Sequence, residues 1–142
     1  MKRLLTIVLL LLLSAFAWAD KQESVESLKA RAARTQPKER VELCTRIAER
    51  QLDALEKAYN DGNTKQARAA LADVVSYGEQ AADLSSETGK HMKKTEITLR
   101  KISGRLEAMR RTLDVDDRPP VADAVQKIET ARNELLNRMF RK

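Results

Sequence analysis

The run from Leu84 to Leu113 constrains the fold of this chain more than any other stretch. Its inward positions read Leu84, Thr88, Met92, Thr95, Leu99, Ile102, Leu106, Met109 and Leu113. From Met92 onward the steps alternate three and four, which is a heptad seam down one side of an α-helix. Between those positions stand Lys90, Lys93, Lys94, Arg100, Lys101, Arg105, Arg110 and Arg111. The same helix therefore carries an apolar stripe and a basic back, and the stripe must be buried against other helices.

The N-terminus reads as an address. Lys2 and Arg3 form a positive start, Leu4 to Leu13 is apolar apart from Thr6, and Ala17-Trp18-Ala19 has the small-x-small form that signal peptidase reads. A spanning helix needs roughly twenty apolar residues, more than this run supplies. Residues 1–19 are expected to be a signal peptide cleaved near Ala19-Asp20, which makes the mature protein periplasmic or secreted. An uncleaved N-terminal anchor is the alternative. The mature part of the 142-residue chain is long enough for one domain with its own core. It keeps Tyr59, Tyr77 and Phe140 as its only aromatics and has few Gly and Pro, a mixture that favours helix over sheet.

The formal charge of +6 falls to +4 once Lys2 and Arg3 leave. Residues 20–85 sum to −1, residues 86–111 to +5, and residues 112–142 to zero, so the excess is local to the organising helix.

Residues 21–34, with Val25, Leu28 and Ala32 on one face, form a short helix expected to dock loosely; residues 20–36 make an N-terminal segment ahead of a bundle domain over 37–142. Pro37 suits the first turn of a second helix. That helix runs to Tyr59 with Val41, Cys44, Ala48, Leu52, Leu55 and Tyr59 inward, and Leu43 and Ile47 widening the stripe. Asn60-Asp61-Gly62-Asn63 is a turn, with Asn63 and Gln66 in a capping-box pattern, and it implies an antiparallel hairpin. The third helix starts near Thr64 and places Ala67, Ala70, Leu71, Val74, Gly78, Ala81 and Leu84 on its apolar face, small enough for the second helix to approach closely.

Ser85-Ser86-Glu87-Thr88-Gly89 is ambiguous. Gly89 can end a helix and fold the chain back into a compact four-helix bundle. The apolar phase nevertheless passes straight through it, which favours one helix from Thr64 to Leu113, about 75 Å long at 1.5 Å per residue. Asp114 to Pro120 is the next break, because Pro119 and Pro120 stop one helix and start another. The last helix, about Pro120 to Phe140, pairs antiparallel with residues 92–113. The expected fold is all-α: antiparallel helical hairpins sharing a long central helix, extended or as a compact four-helix bundle.

No reactive constellation emerges. His91 is the only histidine, and Lys90, Lys93 and Lys94 beside it would repel a metal ion, so it reads as a solvated surface residue. Cys44 lies in an apolar stripe and reads as buried core; the alternative is an intermolecular disulfide making a homodimer. Asp114, Asp116 and Asp117 do not start a calcium loop, because Pro119 and Val125 occupy the positions that need Gly and Glu. Gly89-Lys90 is not a phosphate loop, since Leu84 and His91 stand where Gly and Ser or Thr are required. Gly62, Ala67 and Leu71 are spaced as in one tetratricopeptide hairpin, but Val74 and Glu79 depart from that pattern and no second copy follows. A generic helical hairpin gives the same spacing. The expectation is a protein that is not an enzyme and takes no cofactor or metal.

The functional lead is the basic back. Lys90, Lys93, Lys94, Arg100, Lys101, Arg105, Arg110 and Arg111 are the candidate anion- or partner-binding residues. Anionic lipid headgroups, acidic envelope polymers or an acidic protein partner fit them. Nucleic acid fits poorly, because the chain is exported and no aromatics interleave the charges for stacking. The competing explanation is a solvated face neutralised by acids on neighbouring helices. Ile97, Gly104 and Ala108 lie off the seam as a second strip, for a partner helix or for the chain's own first helix. The leading expectation is thus an exported, non-catalytic interaction or structural module, with binding of anionic envelope components as the alternative.

Overall fold

The structure is a computed structural model that describes residues 23–141; the expected signal peptide lies outside them. The chain forms α1 (Val25–Arg34), α2 (Pro37–Asn60), α3 (Thr64–Thr88), α4 (Met92–Thr112), a 3₁₀ turn at Val115–Asp117 and α5 (Arg118–Phe140). Among the described residues there is no strand, so the all-α expectation holds. No helix of the described residues is long and apolar enough to cross a membrane.

Local chemistry sets most helix ends. The Ser24 hydroxyl accepts the Ser27 N–H at 3.1 Å and caps α1. Asn63 Oδ1 accepts the Gln66 N–H at 3.1 Å, and Asn63 Nδ2 donates to Gln66 Oε1 at 3.0 Å. Gly62 takes the left-handed conformation at φ 72° that closes α2. Helix α5 begins two residues earlier than its prolines suggest. Pro119 and Pro120 thereby fall in its first turn, where a missing N–H leaves no bond unmade.

The stretch favoured as one helix from Thr64 to Leu113 is two helices. Gly89 has φ 69° and His91 φ 58°, both left-handed, so the chain reverses. Side chains that carry no apolar signal secure the reversal. Ser85, fully buried, donates to the Lys90 carbonyl at 2.5 Å. The Thr88 hydroxyl donates to the Leu84 carbonyl at 2.7 Å and accepts the Lys90 N–H at 3.3 Å. The compact alternative is the one realised.

Helices α2 and α3 form one antiparallel hairpin, and α4 and α5 form the second, clipped by Arg132 to Glu96 at 2.8 Å. The hairpins stack in the same sense. Lys94 meets Glu42 at 2.8 Å, and three turns further along both helices Arg105 meets Asp53 at 2.9 Å and Glu56 at 2.6 Å. Both partners advance together, so α2 and α4 run parallel, side by side. Helices α3 and α5 do the same: Arg68 and Leu71 lie near Pro120, Asp83 near Glu134, and Ser86 near Arg138. The result is two layers, α2/α4 and α3/α5, with the seam between them. Leu52, Leu55, Val74, Leu99, Ile102, Leu106, Val121, Ile128 and Leu135 are buried there.

Gly78 is a tooth-gap in this core. A Cβ there would stand 2.7 Å from Ile128 Cδ1 and 3.4 Å from Leu99 Cδ2. The close approach thus belongs to α5 and α4, not to α2 as its spacing suggested. Helix α1 covers the side of α2 away from α4. Leu28 and Ala32 pack on Leu43, Ile47 and Tyr77, which explains why the α2 stripe is wide. Its docking also has polar ties. Lys29 donates to Asp73 at 2.6 Å, Gln51 donates to the same carboxylate at 2.6 Å, and Arg50 donates to the Glu23 carbonyl at 3.0 Å.

Candidate functional site: the groove between α2 and α4

Two parallel helices side by side leave a groove along their outer flanks. Here its first half is walled by Glu42, Thr45, Arg46 and Glu49 of α2 and by Lys93, Lys94, Ile97, Thr98 and Lys101 of α4, enclosing about 620 Å³. It continues for about 460 Å³ past Leu52, Lys101, Gly104, Arg105 and Ala108. The strip Ile97, Gly104, Ala108 therefore lines this groove and is not covered by α1. Among the described residues nothing stands within 4 Å of where a Gly104 Cβ would be, and Ala108 is exposed.

The eight candidate cations divide into two sets. Lys94 is held by Glu42, and Arg105 by Asp53 and Glu56. Arg110 is held by Glu107 at 2.6 Å, with Arg111 at 3.9 Å from the same carboxylate. The hydrogen bond from Lys94 holds the Glu42 carboxyl below its ordinary range. Partial burial works against the Arg105 charge, but hydrogen bonds to Glu56 and Asp53 outweigh it and raise its pKa. By contrast, Lys90, Lys93, Arg100 and Lys101 have no carboxylate within ion-pair distance among the described residues, and all four are exposed. Lys93 and Lys101 sit in the groove; Arg100 stands on the outer face of α4, and Lys90 at the reversal. Of the other acid on α4, Glu96 turns away to Arg132 and so leaves these charges unmatched.

Arg46 and Glu49 belong to the same groove and were not singled out by the sequence. Their only signal is position: on α2 they fall outside the apolar stripe. That they face α4 depends on a helix pairing that periodicity does not encode. The first half of the groove thus sets Arg46, Lys93, Lys94 and Lys101 against Glu42 and Glu49. One hollow on the opposite, α3/α5 face has the reverse balance, with Glu79, Asp83, Asp123 and Glu134 around Lys127. The basic excess thus lies on the α2/α4 side of the molecule.

The remaining candidates fall into place. His91 is exposed, its Nδ1 3.6 Å from Glu42. Cys44 is fully buried, and burial pushes its thiol up to about 11, the wrong direction for a nucleophile. An intermolecular disulfide at that depth would require local unfolding. Asp116 and Asp117 lie in the 3₁₀ turn ahead of α5, and Asp114 directly precedes it. Among the described residues, no group of three or more His, Cys, Asp or Glu is placed to hold a metal ion. Comparison with protein-family models, with curated proteins and with solved structures finds no match for this chain.

Proposed function

We propose that this chain is an exported, non-catalytic helical interaction module that holds an anionic component of the cell envelope against α4. The observation that carries the reading is the set Lys90, Lys93, Arg100 and Lys101, exposed and without acidic partners among the described residues. A solvated face with its own acids accounts for Lys94, Arg105, Arg110 and Arg111, but not for these four. Lipid headgroups and acidic polymers share the required chemistry, an array of anionic groups that exposed ammonium and guanidinium groups can pair with.

The test reverses Lys93, Arg100 and Lys101 to Glu and leaves the paired Lys94 alone. Binding is measured to phosphatidylglycerol vesicles and to poly-glutamate, at low and high salt. A basic residue at an anionic surface is worth about 1 kcal/mol, so losing three should weaken binding by about 100-fold or more. Reversing Arg68, Lys127 and Arg138 on the opposite face changes the net charge equally and should have little effect. Equal loss from both triples, or none from the first, overturns the reading. Vesicle and polymer arms tell the two sources apart. The open strip Ile97, Gly104, Ala108 favours a second reading, a protein partner seated on it. In that case Ala108→Arg blocks binding and the charge reversals do not.

A further inference from the structure

We infer that the α4/α5 hairpin exchanges between two copies of this chain, the junction Gly89-Lys90-His91 straightening into helix so that each copy's α4/α5 docks on the other's α2/α3. This does not depend on what the groove binds.

Three features of the junction point to it. First, the reversal is held in the left-handed region at two of three residues, and one of them, His91, has a β-carbon that this conformation crowds. Second, α3 closes on a left-handed Gly89 whose N–H bonds the Ser85 carbonyl, but the start of α4 is left uncapped. His91 makes no side-chain cap to α4, and α3 has no basic residue in its last turn to meet its exposed carbonyls. A continuous helix removes both ends. The N–H groups of Met92, Lys93 and Lys94 then find the carbonyls of residues 88, 89 and 90. Third, the apolar phase Ala81, Leu84, Thr88, Met92, Thr95 steps by three and four without interruption, so the straight form keeps one apolar side.

What the straightened junction gives up is returned by the second copy. The contacts between the hairpins are Glu42 with Lys94, Asp53 and Glu56 with Arg105, and Gly78 with Ile128. These lie outside the junction, so a second copy supplies them unchanged, while the 3.6 Å approach of His91 to Glu42 is given up with the reversal. The bonds from Ser85 and Thr88 around Lys90 belong to the reversal itself. A short, strained hinge joining two units whose interface is otherwise closed is the setting in which exchange costs least. The exchanged dimer carries two α2/α4 grooves, each built from both chains. It does not need Cys44, which stays buried.

The experiment co-refolds the mature chain at high concentration and measures the dimer fraction by size-exclusion chromatography with light scattering. Wild type should give a dimer fraction that dilution does not quickly reverse. Gly89→Ala loses the left-handed tolerance and gains helix propensity, which should shift the balance toward dimer by roughly 30-fold per chain. His91→Gly relieves the strained residue and should lower the wild-type fraction by roughly 10-fold. To identify the mode, one chain carries a spin label at Glu49→Cys and another at Lys101→Cys, both in a Cys44→Ala background. These positions face each other across the groove, so a short inter-chain distance arises only from exchange. A Gly89→Ala chain that folds but stays monomeric, a dimer fraction that His91→Gly leaves unchanged, or a dimer without the short distance would each overturn the inference.

Discussion

Gly78 offers the sharpest probe of how the two hairpins meet. Replacing it by Ala should gain about 1 kcal/mol of helix propensity. The new Cβ, however, would lie 2.7 Å from Ile128 Cδ1. Carbon pairs are comfortable at about 3.5–4.0 Å, so Ile128 must withdraw by nearly 1 Å. Ile128 is fully buried and Leu99 is already 3.4 Å from the same point. Overpacking of this kind costs about 1–3 kcal/mol, so Gly78→Ala should be destabilising by about 1 kcal/mol net. Ile128→Val deletes the clashing carbon and on its own costs about 0.5–1.5 kcal/mol. Together the two changes should cancel, because the Ala Cβ fills the space that Cδ1 leaves. The double variant is expected within about 0.5 kcal/mol of wild type, a favourable coupling of about 1–2 kcal/mol. Urea unfolding reads this as a midpoint that falls in each single variant and returns in the double, at constant slope. Gly104→Ala, with nothing within 4 Å, serves as control. It should stabilise by about 0.5–1 kcal/mol and show no coupling to Ile128→Val. Additive losses at Gly78 and Ile128 would refute the placement of α3 against α5.

Arg132 is the polar counterpart, bonded to Glu96 at 2.8 Å and Glu129 at 3.1 Å, with the Glu96 side chain 11% exposed. Arg132→Ala strands that carboxylate and should cost about 2–3 kcal/mol by chemical denaturation, against under 1 kcal/mol for a surface pair. The Thr95 hydroxyl is buried with no hydrogen-bond partner among the described residues. Thr95→Val should therefore raise stability by about 1 kcal/mol, and a loss would mean the hydroxyl has found an acceptor, the His91 carbonyl being nearest in sequence. Cys44 should react with a disulfide reagent at pH 8 only through opening of the native state, and fast labelling of folded protein would contradict its burial. Its thiol rises from 9.0 to about 11 on folding. Across that window the native state holds the proton that the unfolded chain loses, so stability falls as pH rises. Cys44→Ala should flatten that part of the pH profile.

The seam from Thr95 to Met109 was legible because a single buried face imposes a period, and the structure buries each of its positions. The Asn63 cap and Gly62 turn were legible because their chemistry is local. The reversal at Gly89 was not. An isolated Gly is tolerated inside helices, and the seam keeps phase across it, while the decisive bonds come from Ser85 and Thr88, which signal nothing by themselves. The groove was half legible. Charge density marked α4, but which cations stay unmatched depends on pairs such as Lys94 with Glu42, 52 residues apart. Periodicity says which side of a helix is apolar, not which helix lies beside its polar flank. That is why Arg46 and Glu49 went unseen and why Ile97, Gly104 and Ala108 had two equal readings.

In the single chain, everything proposed for the groove requires that it fold back at Gly89 to His91 and bring α4 alongside α2. The most direct measurement is the distance between spin labels at Glu49→Cys and Lys101→Cys on one chain, in a Cys44→Ala background, in the monomer fraction isolated by size exclusion and diluted into excess unlabelled monomer. Neighbouring helix axes stand about 8–10 Å apart, so a single short distance, lengthened only by the label arms, is the expected result. A helix unbroken from Thr64 would carry Lys101 about 40 Å along the axis from the level of Glu49, and a distance of that size in the monomer would contradict the account.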